Sequence, residues 1–135
     1  MENKELKKIL FKKPARLVLT VKEETARLEF GEEIVELSYS HPQGCCEKVW
    51  ADFEIFNYYK NQLDNFYIGL KIKSVPEMGI LVCLDWEYDC NEDKIFIPCY
   101  NEQNGYYSND LILKVKHNGT EDTFDISQDV QSKIN

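Results

Sequence analysis

One dipeptide constrains this chain more than any other: Asn118-Gly119, set between two runs in which apolar and polar residues alternate. The tightest hairpin turn needs φ > 0 at both central positions, which Asn and Gly tolerate best. Closing the chain there opposes Lys116 to Glu121, Lys114 to Thr123, Leu113 to Phe124 and Leu111 to Ile126. Charge meets charge on one face and apolar meets apolar on the other. A slip of one residue would lose both matches, so the register is specified.

The same period of two recurs along the chain. Leu17, Leu19 and Val21, then Ala26, Leu28 and Phe30, read as two strands joined around Glu23-Glu24, with a third from Ile34 to Tyr39. Val49 to Ile55, Leu70 to Lys73, Ile80 to Tyr88 and Ile95 to Tyr100 read as further strands. Turns fall at His41-Pro42-Gln43-Gly44 and Pro76-Glu77-Met78-Gly79, and Pro98 points to an edge or a bulge. A second hairpin at Asn104-Gly105 would set Phe96 near Leu113 and Ile97 near Ile112. Two stretches change period. Leu6, Ile9 and Leu10 predict a short basic amphipathic helix over residues 1–14, stopped by Pro14. Phe56, Tyr59, Leu63 and Phe66 predict a helix of about two to three turns. The expected fold is α+β: mainly antiparallel β-sheet with one or two short helices, in a single domain over residues 1–135.

Charge is unevenly spread. Residues 1–22 hold seven basic side chains against Glu2 and Glu5, while the rest of the chain is strongly acidic, for a net charge of −8. An acidic body repels phosphate backbones, so extended nucleic-acid binding is not expected. The basic arm is expected to lie against its own acidic surface. No apolar run approaches the about 18–20 residues that cross a bilayer, and no secretory signal is visible, so the expectation is a cytoplasmic chain with no membrane association. Five cysteines in a reducing compartment need no pairing.

Chemistry-bearing patterns are weak. Asp85, Glu87, Asp89, Glu92 and Asp93 crowd together, but a calcium loop counted from Asp85 would have Cys90 where Gly is needed and Phe96 where Glu is needed. Cys45, Cys46, Cys83, Cys90 and Cys99, with His41 and His117, lack paired zinc spacing. Cys83, Cys90 and Cys99 suit core or strand positions. The histidines read as exposed turn neighbours, and no serine elbow or phosphate loop is present. No catalytic residue, metal or cofactor is assigned, and an enzyme is not the favoured reading. The paired tyrosines Tyr106 and Tyr107 stand out instead. On a strand one faces inward and the other meets solvent, among Glu102 and Asn104. Amphipathic aromatics of this kind are frequent interface hot spots.

The run Gly44-Cys45-Cys46-Glu47-Lys48-Val49-Trp50, followed by Asn104-Gly105-Tyr106-Tyr107-Ser108, resembles a family of small uncharacterised bacterial and phage domains. The resemblance spans roughly residues 44–118, within a family-like core at 44–127, and implies a phage or mobile-element setting without catalytic residues. The expected function is binding of a protein partner through Tyr106, Tyr107, Asn104, Glu102, Trp50 and Glu47, with the partner a host protein in the phage setting. In that setting the acidic surface could compete for the basic groove of a nucleic-acid-handling protein. The alternative is a small-molecule or metal-binding protein, or an enzyme, built on the Cys45/Cys46/Glu47 corner. A homo-oligomer closing exposed sheet edges is a third reading.

Overall fold

The computed structural model describes residues 3–22, 24–41, 49–60, 63, 65–84, 93–101 and 110–132. Its strands are β1 (Lys4–Lys22), β2 (Thr25–Phe30), β3 (Glu33–Ser40), β4 (Val49–Ala51), β5 (Phe66–Val75), β6 (Gly79–Cys83), β7 (Lys94–Asn101), β8 (Ile112–His117), β9 (Thr120–Asp125) and β10 (Gln131–Ser132). The helical content described is one turn of α-helix, α1 (Ile55–Tyr59), and a 3-10 turn over Ser127–Asp129. The fold is mainly antiparallel sheet, and helix contributes less than the sequence suggests.

The C-terminal hairpin forms as its turn dictates. Asn118 and Gly119 both take positive φ, +50° and +80°. Lys116 faces Glu121, Lys114 faces Thr123 and Leu113 faces Phe124. The Ile126 N–H donates to Leu111 O at 2.9 Å just beyond. On its other edge β8 pairs with β3, placing Leu113 opposite Tyr39. The expected neighbour of β8, the Ile95–Tyr100 strand, lies elsewhere: Phe96 of β7 faces Leu81 of β6. That edge of β8 pairs with β3, a strand of the same length as β7.

The N-terminal segment is the larger departure. Residues 4–22 form one strand of 19 residues instead of a helix. The strand spacing Ile9, Phe11 competes with the helical spacing Leu6, Ile9, Leu10 in the same stretch, and the pairing with β5 decides between them. Ile9 and Phe11 are buried, while Leu10, assigned to the apolar face of the helix, is 64% exposed. β1 pairs with β5 along its first half and with β2 along its second (Leu17 opposite Phe30). Between Leu10 and Ala15 its register against β5 slips through a wide bulge, and Pro14 sits there. Proline breaks a helix, but a bulge has no ladder position that needs its missing N–H.

β1 therefore belongs to both halves of the sheet, whose order is β10-β7-β6-β5-β1-β2-β3-β8-β9, with β4 attached to β7. Ile9, Leu70, Ile72, Ile80, Val82, Ile95 and Ile97 from one half share one core cluster with Leu19, Leu28, Val35, Leu37, Leu113 and Val115 from the other. The Phe11 and Phe30 rings meet at 4.4 Å where β1 changes partner. The first three strands are thus part of the core, not an appendage to it. Carboxylates of the other half meet the unpaired edge of β1: Glu33 accepts the Lys12 N–H at 2.8 Å, and Asp122 pairs with the Lys7 ammonium. The basic segment does lie against its own acidic side chains at these two points.

One further correction follows from packing. The helix expected from Phe56 to Phe66 stops after one turn; Phe66 instead opens β5 and is 60% exposed. Phe56 of that turn is buried, and Leu63 beyond it reaches the same core without belonging to a helix. Pro98, expected at an edge or a bulge, marks the position where β7 passes from β6 to β4 and β10. Opposite it, Gly79 is packed so closely that an added Cβ would run into Ile97 O and come within 2.9 Å of Pro98 Cα.

Candidate functional site

The sequence points to two segments as functional, and the ladder fixes where they are rooted. β4 pairs antiparallel with β7, setting Val49 opposite Asn101, Trp50 opposite Tyr100 and Ala51 opposite Cys99. β3 ends against the start of β8, with Ser40 opposite Ile112, and His41 Nδ1 contacts the carbonyl oxygen of Asp110. Residues 42–48 run from His41 to Val49, and residues 102–109 run from Asn101 to Asp110. The described residues that flank the two segments are therefore joined, His41 to Asp110 and Val49 to Asn101. Four strand ends gather the roots of both motifs at one place.

Of the sequence-predicted residues, Trp50 lies in this described frame. Val49, Ala51, Cys99 and Asn101 are buried, so alternation turns Trp50 and Tyr100 to the opposite face. Both rings are half-buried and tilt on each other with centroids 5.3 Å apart. Tyr39 and Phe53 make an edge contact at 5.6 Å that ties β3 to the turn before α1. Glu47, Glu102, Asn104, Tyr106 and Tyr107 lie outside the described residues, as do Cys45, Cys46, Cys90 and the acidic stretch 85–92. Tyr100 is a member that sequence reasoning missed. Its neighbour Trp50 is far away along the chain, and only the β4–β7 pairing brings them together.

Elsewhere the polar groups serve the fold. Ser74 Oγ donates to Asp129 Oδ1 at 2.6 Å inside the protein, fastening the 3-10 turn to β5. The second Asp129 oxygen has no hydrogen-bond partner among the described residues. Burial raises the Asp129 carboxyl above its ordinary value, aided by nearby Asp125 and opposed by the Ser74 hydrogen bond and Lys4. Burial, with Asp129 as a secondary cause, pushes the Cys99 thiol up to about 12, the reverse of what a nucleophile needs. Asp125 is held below its ordinary value by the side chain and N–H of Ser127. Both histidines are half-buried: His41 on Asp110, and His117 Nε2 on Glu33 Oε1 at 3.2 Å. Cys83 and Cys99 are buried free thiols. Among the described residues no group of three His, Cys, Asp or Glu side chains is placed to hold a metal.

Open concavities of about 480 and 270 Å³ lie on the outer face of the β1–β2–β3–β8 region and share Arg27 and Glu36. A cross-strand row, Thr20–Arg27–Glu36–Lys116, lines them and continues to Glu121. Cations and carboxylates alternate along it, and Arg27 also pairs with Glu29 at 3.1 Å. A face that neutralises itself this way holds register and offers no converging set of like groups to a ligand. The chain matches no protein-family model, no curated protein and no solved structure. No described helix is long and apolar enough to cross a membrane.

Proposed function

We propose that this protein is a protein-binding module whose recognition surface is the sheet end where β3, β4, β7 and β8 meet. Trp50 and Tyr100 form its anchor, and Glu47, Glu102, Asn104, Tyr106 and Tyr107 complete it from the two segments rooted there. One observation carries this reading: the Val49–Asn101 pairing and the His41–Asp110 contact join the roots of both motif-bearing segments. Aromatic rings with polar tips beside a fixed strand pair supply large contact area at small entropic cost. In the phage or mobile-element setting that the motifs suggest, the partner is a host protein.

The test is capture of a partner from a lysate of the source cell, followed by its identification. Trp50→Ala and a Tyr106→Ala/Tyr107→Ala double variant are each expected to weaken capture of the same protein by about tenfold or more. Tyr58→Ala, at a 72% exposed ring on α1, should leave it unchanged. Loss in one of the two variants and full retention in the other would divide the surface and refute the reading.

A further inference from the structure

We infer that residues 128–132 form a proton-controlled strap, closed on the sheet while the Asp129 carboxyl is neutral and released when that carboxyl ionises. Among the described residues Asp129 is the one acidic side chain that is wholly buried. One of its oxygens accepts Ser74 Oγ at 2.6 Å, and the other has no hydrogen-bond partner. Among the described residues no Lys or Arg forms an ion pair with it. A buried oxygen left unpaired is costly, and a buried charge left unpaired costs far more. The closed strap therefore suits the neutral carboxyl.

The groups around Asp129 agree with that geometry. Burial raises the carboxyl above its ordinary value, the Ser74 hydroxyl of β5 opposes this, Asp125 at the end of β9 adds to it, and Lys4 of β1 opposes it. The Cys99 thiol of β7, pushed up to about 12, stays neutral beside it. The segment itself is lightly held. The Ile126 N–H donates to Leu111 O at 2.9 Å and the Leu111 N–H donates to Ser127 Oγ at 3.1 Å, so the chain is pinned as far as Ser127. Beyond that point the Glu77 N–H donates to Gln128 O at 2.8 Å, and Gln131 Nε2 donates to Met78 O at 2.9 Å. β10 adds two residues in parallel to Tyr100 and Asn101 of β7, and Val130 is the one apolar side chain the strap buries. β5, β6 and β7 keep their own ladders whether or not the strap is seated. Release uncovers the β7 backbone at Tyr100 and Asn101. The closed form keeps its proton to a higher pH than the released form, so rising pH drives release until the carboxyl is ionised in both.

Hydrogen exchange of the full chain, read by mass spectrometry from about pH 4 to about pH 8 and corrected for the intrinsic rate, tests the strap. Protection over residues 128–132 is expected to fall by up to about tenfold per pH unit and then level off, while protection over residues 95–99 stays constant. Asp129→Asn, neutral at every pH, should abolish the fall. Ser74→Ala removes the donor that favours the charge and should enlarge it. Protection of the strap that ignores pH in the parent and in Ser74→Ala, an equal fall in Asp129→Asn, or a loss at residues 95–99 in step with the strap would each overturn the inference.

Discussion

The β8–β9 hairpin and the β1 strand are both apolar–polar alternations, yet one is legible in the sequence and the other misleads. In the hairpin every decisive contact is local. The turn residues, the facing charges and the facing apolar groups all belong to one stretch of the chain and agree with one another. In β1 the local pattern permits both helix and strand, and the deciding contacts are distant: Ile9 against Leu70, and Phe11 against Phe30. Propensity and periodicity are weak priors that tertiary pairing overrides. What closes locally can be read locally; what bridges two halves of a sheet cannot.

The sharpest way to break this comparison is to empty the β1 side of the core. Phe11→Ala is expected to cost about 3–5 kcal/mol in denaturant titration, because a buried ring leaves a cavity against Phe30. A Phe11 on a mobile surface arm would cost almost nothing. In the hairpin, Gly119→Ala adds a Cβ that meets nothing within 4 Å, so the penalty is confined to the left-handed backbone at φ +80°. A loss of about 1–2 kcal/mol is expected, with unchanged near-ultraviolet dichroism. A loss as large as that of Phe11→Ala would mean the turn is a keystone of the whole fold.

A smaller and pH-dependent effect belongs to Asp129. Its carboxyl titrates higher when folded than when unfolded, because burial disfavours the charge. The stability it contributes is present while the carboxyl is neutral in both states and declines as pH rises through the raised folded value. Asp129→Asn keeps an acceptor for Ser74 Oγ and removes the charge. Its melting temperature should therefore match the parent in strong acid and exceed it increasingly toward neutral pH. A difference that shrank with rising pH would reverse the sign and refute the assignment. Least is expected from Lys7–Asp122, a pair with 26% and 39% side-chain exposure. Asp122→Asn should cost no more than about 1 kcal/mol, and salt should erase most of it.

How much of the candidate site could be read follows the same division. Trp50 and the two motifs are visible as unusual residue types close together in the chain. Their common root is invisible, because it depends on Val49 reaching Asn101 and His41 reaching Asp110. Tyr100 and the Ser74–Asp129 bond escape for the same reason. β2 was legible because it alternates apolar with polar residues and ends at Gly31, whereas β6, an unbroken Ile80-Leu81-Val82 run, was marked by the turn residues Pro76 to Gly79 before it. Their order was not, since many edges of similar pattern compete for each partner.

Residues 4–22 form one strand that joins both halves of the sheet. Nuclear Overhauser contacts on isotope-labelled protein test it most directly. Cross-strand contacts are expected between the backbone of Lys7 to Leu10 and that of Gly69 to Ile72, together with Leu17 to Phe30 beyond the bulge. A ladder of contacts between residues three apart over Leu6 to Lys13, without the cross-strand set, would show a helix and contradict it.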